Sequence, residues 1–168
     1  MPQLILVRHA KSSWDHEGLS DFERPLNDRG RRDAPAMGQR LQRFDLVPAL
    51  VVSSPAMRAI STARLIAQEL EIPLDHIQLR EPIYDASVKA LLAVAQGLPS
   101  ASPVMLVGHN PGISEFAKLL APCPFDEVPT CAVVVIDLDV KAWKDVKAKT
   151  GRVARYFFPK DGGGDGVP

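Results

Sequence analysis

The chain has 168 residues, 46% of them hydrophobic, and its 20 Lys and Arg balance 20 Asp and Glu. That length favours one domain with a single core, and the zero net charge argues against general nucleic-acid or membrane-surface binding. Two cysteines, Cys123 and Cys131, are too few for a disulfide framework. The first apolar run ends at Arg8, too soon for a signal-peptide core or a membrane span, so a cytoplasmic location is expected.

Residues 3–7 are an apolar run of β-formers that stops at Arg8-His9 and reads as a buried strand. Asn27 is placed to cap a helix reaching about residue 44, with Ala34, Met37, Leu41 and Phe44 on its apolar face. Pro35 lies inside that pattern and is expected to kink or restart the helix. Residues 49–53 form the next strand. Ser54 then reads as an N-cap and Pro55 as the first residue of a helix that turns Met57, Ile60, Ala63, Ile66, Ala67 and Leu70 to the sheet. Ser87 caps a helix over about 88–98. A strand at 104–107 stops at Gly108-His109, and a helix over about 113–120 follows.

Two more strands, 132–138 and 153–158, close the pattern. The segment KAWKDVKAKTG between them holds a short helix or a loop, and the pattern leaves open whether one of the two strands is antiparallel. The β-α alternation predicts a three-layer α/β/α sandwich around a mostly parallel sheet. Residues 1–160 form a single domain in this reading, and the glycine-rich tail 161–168 is expected to be disordered.

The segments LILVRHAKS and VMLVGHNPG echo one another a hundred residues apart, each an apolar strand ending at a histidine, His9 or His109. Ligands of open α/β sheets bind beyond the carboxyl ends of the strands. Arg8 stands beside His9; the plainer reading of the pair is a sheet-rim His with an Arg in a surface salt bridge. Arg58 lies one turn into the helix that follows SSP. Helix N-termini attract anions, and burial of the flanking Met57 and Ile60 would steer Arg58 to the sheet rim; the plainer reading is an exposed helix Arg. Two Arg and two His converging on one crevice suit a tetrahedral oxyanion, because guanidinium is a planar fork of donors. Zinc is the competing ligand. It wants three or four N, S or O donors, Arg8 and Arg58 oppose a cation, and no HxH or HExxH spacing exists, so no metal is expected. His16 and His76 read as surface residues, and neither cysteine has the context of a nucleophile.

The segments LVRHAKSSW, SSPAMRAISTA and VGHNPG together resemble the histidine phosphatase superfamily, which includes the cofactor-dependent phosphoglycerate mutases. RHAKSSWD followed by SDFERPLNDRGRRDAP is similar to the SixA-type phosphohistidine phosphatases within it. The resemblance covers residues 4 to about 138, and PTCAVVVID and YFFPK fit the same subgroup. It implies a phosphoglycerate mutase-like fold and no cofactor. It also implies that His9 is the nucleophile, that Arg8 and Arg58 bind the transferred phosphoryl group, and that His109 donates to a phosphoryl oxygen.

Three departures bear on this. Ala10 follows the nucleophile where many members have Gly. Asp15 stands where mutase-like members have Asn, and its phosphate-binding role is not carried over. In LREPIYDAS, Glu81 and Asp85 are the candidate general acids, but neither sits in the family's motif. An alcohol leaving group needs a proton on its oxygen, whereas protonated phosphohistidine expels neutral imidazole. The missing acid therefore favours an N–P substrate, or a phosphoester with a good leaving group, and the short connection over residues 80–103 leaves the crevice open enough for a phosphohistidine carried on a protein. The alternatives are small phosphoesters, or a phosphate-binding module without turnover.

Overall fold

The computed structural model describes residues 1–161. Its strands pair into one six-stranded sheet: β1 (Gln3–Arg8), β2 (Leu50–Ser53), β3 (Ile77–Leu79), β4 (Val104–Gly108), β5 (Val133–Leu138) and β6 (Gly151–Phe157), in the order β3-β2-β4-β1-β5-β6. Successive residues of a strand point to opposite faces, and both faces are covered. Leu4, Leu6, Leu106, Val134 and Ile136 pack on one side with α3 (Val88–Gln96) and α4 (Gly112–Leu120). Ile5, Val7, Met105, Val107, Val133 and Val135 pack on the other with α1 (Asp28–Arg43) and α2 (Met57–Glu69). The expected α/β/α layers follow from strands that are apolar on both sides.

β1 to β4 run parallel, while β5 is antiparallel to β1 and β6 antiparallel to β5. This settles the direction that the sequence leaves open. After α4 the loop 121–132 returns to the carboxyl end of β1, so β5 must start there and run the other way. On its path Cys131 adopts a left-handed backbone (φ 62°). Its N–H thereby reaches the carbonyls of Arg8 (3.0 Å) and His9 (3.1 Å).

Chain reversal also fixes the crevice. From β1 the chain crosses over β4 to β2 and β3 with α1 and α2 on one face, then returns to β4 with α3 on the other. Such a switch point opens a gap between the carboxyl ends of two neighbouring parallel strands, here β1 and β4.

The caps at Asn27 and Ser87 form as expected: Asn27 Oδ1 accepts from Gly30 N–H (2.9 Å) and Ser87 Oγ from Ala90 N–H (3.1 Å). Gly30 is required for closeness, since a Cβ there would lie 2.2 Å from the Lys11 carbonyl oxygen. α1 runs unbroken through Pro35, correcting the expected restart. One lost backbone bond is outweighed where Ala34, Met37 and Leu41 are wholly buried.

α2 departs from expectation too. It begins at Met57 after Ala56, so Ser54 is not its N-cap and Pro55 is not its first residue. Met57 is 43% exposed and Ile60 half-buried, while Arg58 and Thr62 take the inward positions. Arg58 therefore faces inward on its own account, not because its neighbours bury a flanking face. β3 was hidden in the sequence because it is three residues long and Gln78 and Leu79 are exposed. Asp161, assigned to the tail on composition, pairs with the buried Arg40 (2.9 Å); the rest of the expected disordered tail lies outside the described residues. No helix among those residues is long and apolar enough to cross a membrane.

Candidate active site

Parallel pairing puts Arg8 opposite Gly108, and His9 N–H donates to the Gly108 carbonyl (2.9 Å). The next residue on each strand is a histidine. The His9 and His109 rings lie with centroids 5.2 Å apart, and both are at least nine-tenths buried. The sequence echo is thus a physical pairing of two imidazoles at the crevice.

Their hydrogen bonds use opposite ring nitrogens. His9 Nδ1 lies 2.7 Å from the Ala10 carbonyl oxygen, which can only accept, so the proton sits on Nδ1 and Nε2 keeps its lone pair. Burial pushes the His9 pKa down to about 3, and the nearby His109, Arg58 and Arg8 push the same way, leaving a neutral imidazole at pH 7. His109 Nε2 lies 2.7 Å from Ser54 Oγ. That hydroxyl also accepts from Ala56 N–H (3.2 Å), and it has one proton and a second lone pair to offer His109 Nε2. With the imidazole proton on Nδ1, Nε2 accepts from Ser54; Nδ1 itself is buried with no partner. Burial lowers the His109 pKa to about 4, helped by Arg58.

Arg8 is half-buried. It donates to the Val128 carbonyl (2.8 Å), which the returning loop supplies. Asn110 Nδ2 donates to the same carbonyl (3.0 Å), and Val128 N–H donates to Ser114 Oγ (3.0 Å), so that loop is tied to the start of α4. Burial lowers the Arg8 pKa while Glu127 pulls it back up. Arg58 is buried in the first turn of α2, and its backbone carbonyl accepts from Thr62 Oγ1 (2.7 Å), which in turn accepts from Ala10 N–H (2.9 Å). The Nε atoms of both arginines are buried without partners. An unpaired buried N–H is costly unless a ligand completes it. In that tautomer His109 Nδ1, with Arg8 Nε and Arg58 Nε, makes three buried donors without partners on the residues whose charges act on His9, a set that fits an oxyanion.

The sequence reading missed Asp21, Ser54 and Tyr84. Asp21 sits in the short turn Asp21–Glu23 and receives Arg58 through its backbone carbonyl (2.7 Å) and its carboxylate (3.0 Å). Tyr84 donates to the same carboxylate (2.8 Å) and sets its ring edge against His109, with centroids 5.6 Å apart. No periodicity marks such residues; their role comes from loops that meet only in the fold. Glu81 and Asp85 flank Tyr84 and are both exposed, and no side-chain hydrogen bond joins either to the four pocket residues. Asp15, His16 and His76 are exposed. Cys123 and Cys131 are both free, and burial raises their thiol pKa values. Among the described residues, no group of three or more His, Cys, Asp or Glu is placed to hold a metal ion.

Residues 4–85 match the family described as the histidine phosphatase superfamily, branch 1. An uncharacterized protein of Picosynechococcus is 30% identical over 122 residues, 71% of this chain and 73% of that one. The chain belongs to the histidine phosphatase superfamily. Among solved structures, SixA from Nakamurella multipartitia superposes with a TM-score of 0.76 at 26% identity, covering 95% of this chain and 96% of that one. The protein histidine phosphatase SixA complexed with tungstate superposes with a TM-score of 0.79 at 22% identity, covering 94% and 97%. The fold is therefore that of the SixA structures, a mixed α/β sheet of the phosphoglycerate mutase-like kind.

Proposed function

We propose that this protein is a phosphatase that hydrolyses phosphohistidine on a protein through a covalent phospho-His9 intermediate. The observation that carries the reading is the His9 imidazole: neutral, with its proton on Nδ1, beside His109, Arg8 and Arg58, each of which has a buried nitrogen without a partner. His9 Nε2 attacks phosphorus. The new N–P bond forms as the substrate's N–P bond breaks, and the departing imidazole keeps the electron pair, neutral because it already carries its proton. Arg8 and Arg58 neutralise charge on the phosphoryl oxygens, and His109 Nδ1–H donates to one of them. Water then attacks the phosphoenzyme, releasing phosphate and restoring neutral His9.

Phosphoryl transfer needs positioning and charge more than covalent assistance, and an imidazole leaving group needs no strong acid. Glu81 and Asp85, standing in solvent, fit such a substrate; delivering a proton to an ester oxygen would fall to one of them. The SixA structure of similar fold is complexed with tungstate, a tetrahedral oxyanion, which is in keeping with a phosphate ligand here. A cytoplasmic setting, with no nucleic acid or membrane as partner, belongs to the same proposal.

The test compares hydrolysis rates on a phosphohistidine-bearing protein, an aryl phosphate and an alkyl phosphate. We expect the phosphohistidine substrate to be fastest and the alkyl ester slowest. Equal rates on alkyl phosphate and phosphohistidine overturn the substrate assignment in favour of a broad phosphoesterase. No turnover on any of them, with phosphate still bound, leaves a binding module.

A further inference from the structure

Arg58 is held by a neighbour that carries the opposite charge, and the way it is held decides which edge it offers. Its two terminal nitrogens are engaged by Asp21: one donates to the backbone carbonyl (2.7 Å), the other to the carboxylate (3.0 Å). The Nε–H is left buried and unpaired. The same carboxylate accepts from Tyr84 Oη (2.8 Å) and from Arg24 Nε (3.2 Å). Arg24 is itself anchored by Ser12 Oγ (2.9 Å) and the Ser13 carbonyl (3.2 Å). Asp21 therefore joins the loop after β1, the first turn of α2 and the turn after β3, the three segments that surround the two histidines.

We propose that Asp21 is a positioning residue for oxyanion binding: its carboxylate fixes the Arg58 guanidinium so that the Nε edge faces the His9–His109 crevice. The inference rests on the phosphate reading of that crevice. It has a sign that simple electrostatics does not share. A carboxylate beside an anion site repels the anion, so on charge alone its removal tightens binding. Positioning predicts the reverse, because a free guanidinium must be ordered anew for each anion it binds, and a planar fork counts only when it is aimed. The carboxylate stays charged in the working range. Burial works to raise its pKa, but the hydrogen bonds from Tyr84 and Arg58 outweigh it and bring it down to about 2.

The test measures the affinity of inorganic phosphate by calorimetry, which needs no turnover. The proteins are the full chain, Asp21→Asn, Arg58→Ala and the double variant. Asp21→Asn, nearly isosteric, is expected to weaken phosphate about tenfold, as loss of an orienting partner does at other anchored ligands. Because Asp21 acts through Arg58, the double variant is expected to bind no more weakly than Arg58→Ala alone. Tyr84→Phe removes one hydrogen bond to the carboxylate and keeps its charge. It is expected to weaken phosphate about threefold, and it decides the matter should Asp21→Asn not fold.

Unchanged or tighter binding in Asp21→Asn overturns the inference, as does a double variant whose losses simply add. If the unmodified protein binds no phosphate at all, the phosphate reading falls first and this inference with it.

Discussion

The carboxyl ends of β1 and β4 share a sheet position, a residue type and a crevice, yet they present different chemistry. His9 gives up Nδ1 to a backbone carbonyl and keeps a lone pair on Nε2. His109 gives up Nε2 to Ser54 and leaves Nδ1 buried without a partner. In the proposed function one imidazole attacks and the other donates, and the difference lies in what the second ring nitrogen touches. At a doubled histidine the partner atom, and not the residue name, assigns the role.

The largest test of this contrast is to remove each ring in turn. His9→Ala should abolish phosphoenzyme formation and lower kcat by about 10⁴-fold or more, since the proposed nucleophile is gone. Acid-labile phosphate trapped on the protein during turnover should disappear with it. Loss of acid-labile phosphate in His109→Ala but not in His9→Ala would reverse the two roles.

His109→Ala should lower kcat/KM by about 10²-fold, the scale for losing one donor to a developing oxyanion, while some phosphoenzyme still forms. A loss as large as that of His9→Ala would mean the two imidazoles are not divided as donor and nucleophile. Ser54→Ala is a finer probe. It leaves the His109 ring in place but frees Nε2, so either tautomer becomes available. Turnover should fall by about threefold to tenfold, and unaltered kcat/KM would show that Ser54 does not set the tautomer.

Both imidazoles also tie stability to pH. Their folded pKa values, about 3 and about 4, lie below the unfolded value near 6.5. Between those limits the unfolded chain binds protons that the native protein refuses. The stabilisation is complete above about pH 6.5 and is lost as pH falls toward the folded values. Replacing His9 by Asn should therefore flatten the fall of stability on acidification, by up to about 1.4 kcal/mol per pH unit. Chemical denaturation from pH 7 to pH 4.5 measures it, and a slope unchanged by the substitution would show that His9 is not held neutral by the fold.

The smallest expected effect concerns the acids. Glu81→Gln and Asp85→Asn should leave phosphohistidine turnover within about twofold, while one of them slows ester hydrolysis by about tenfold or more. Equal slowing on both substrates would place an acid in the N–P reaction as well.

Much of this was legible in the chain. The apolar runs that end at Arg8-His9 and Gly108-His109 name their own layer, because strands covered on both faces must be apolar at every position. The caps at Asn27 and Ser87 are local events, decided within three residues, and they form as read. Arg58 was legible as a residue but not in its reason, since Met57 is exposed where the helical pattern puts it inward. The start of α2 was misread because Ser54 has the composition of a cap, yet its hydroxyl is drawn to a histidine 55 residues away.

By itself, then, the sequence determined the two-faced strands, the alternation of layers, and the four side chains of the crevice: Arg8, His9, Arg58 and His109. Periodicity and strand termini are properties of neighbours along the chain. Tertiary structure alone decided which nitrogen of each imidazole is free, that Asp21 and Tyr84 brace Arg58, and that the loop 121–132 reverses β5 and lays the Val128 carbonyl against Arg8. Those facts rest on hydrogen bonds between segments far apart in the chain, whose donors and acceptors carry no mark of their partners until folding brings them within about 3 Å.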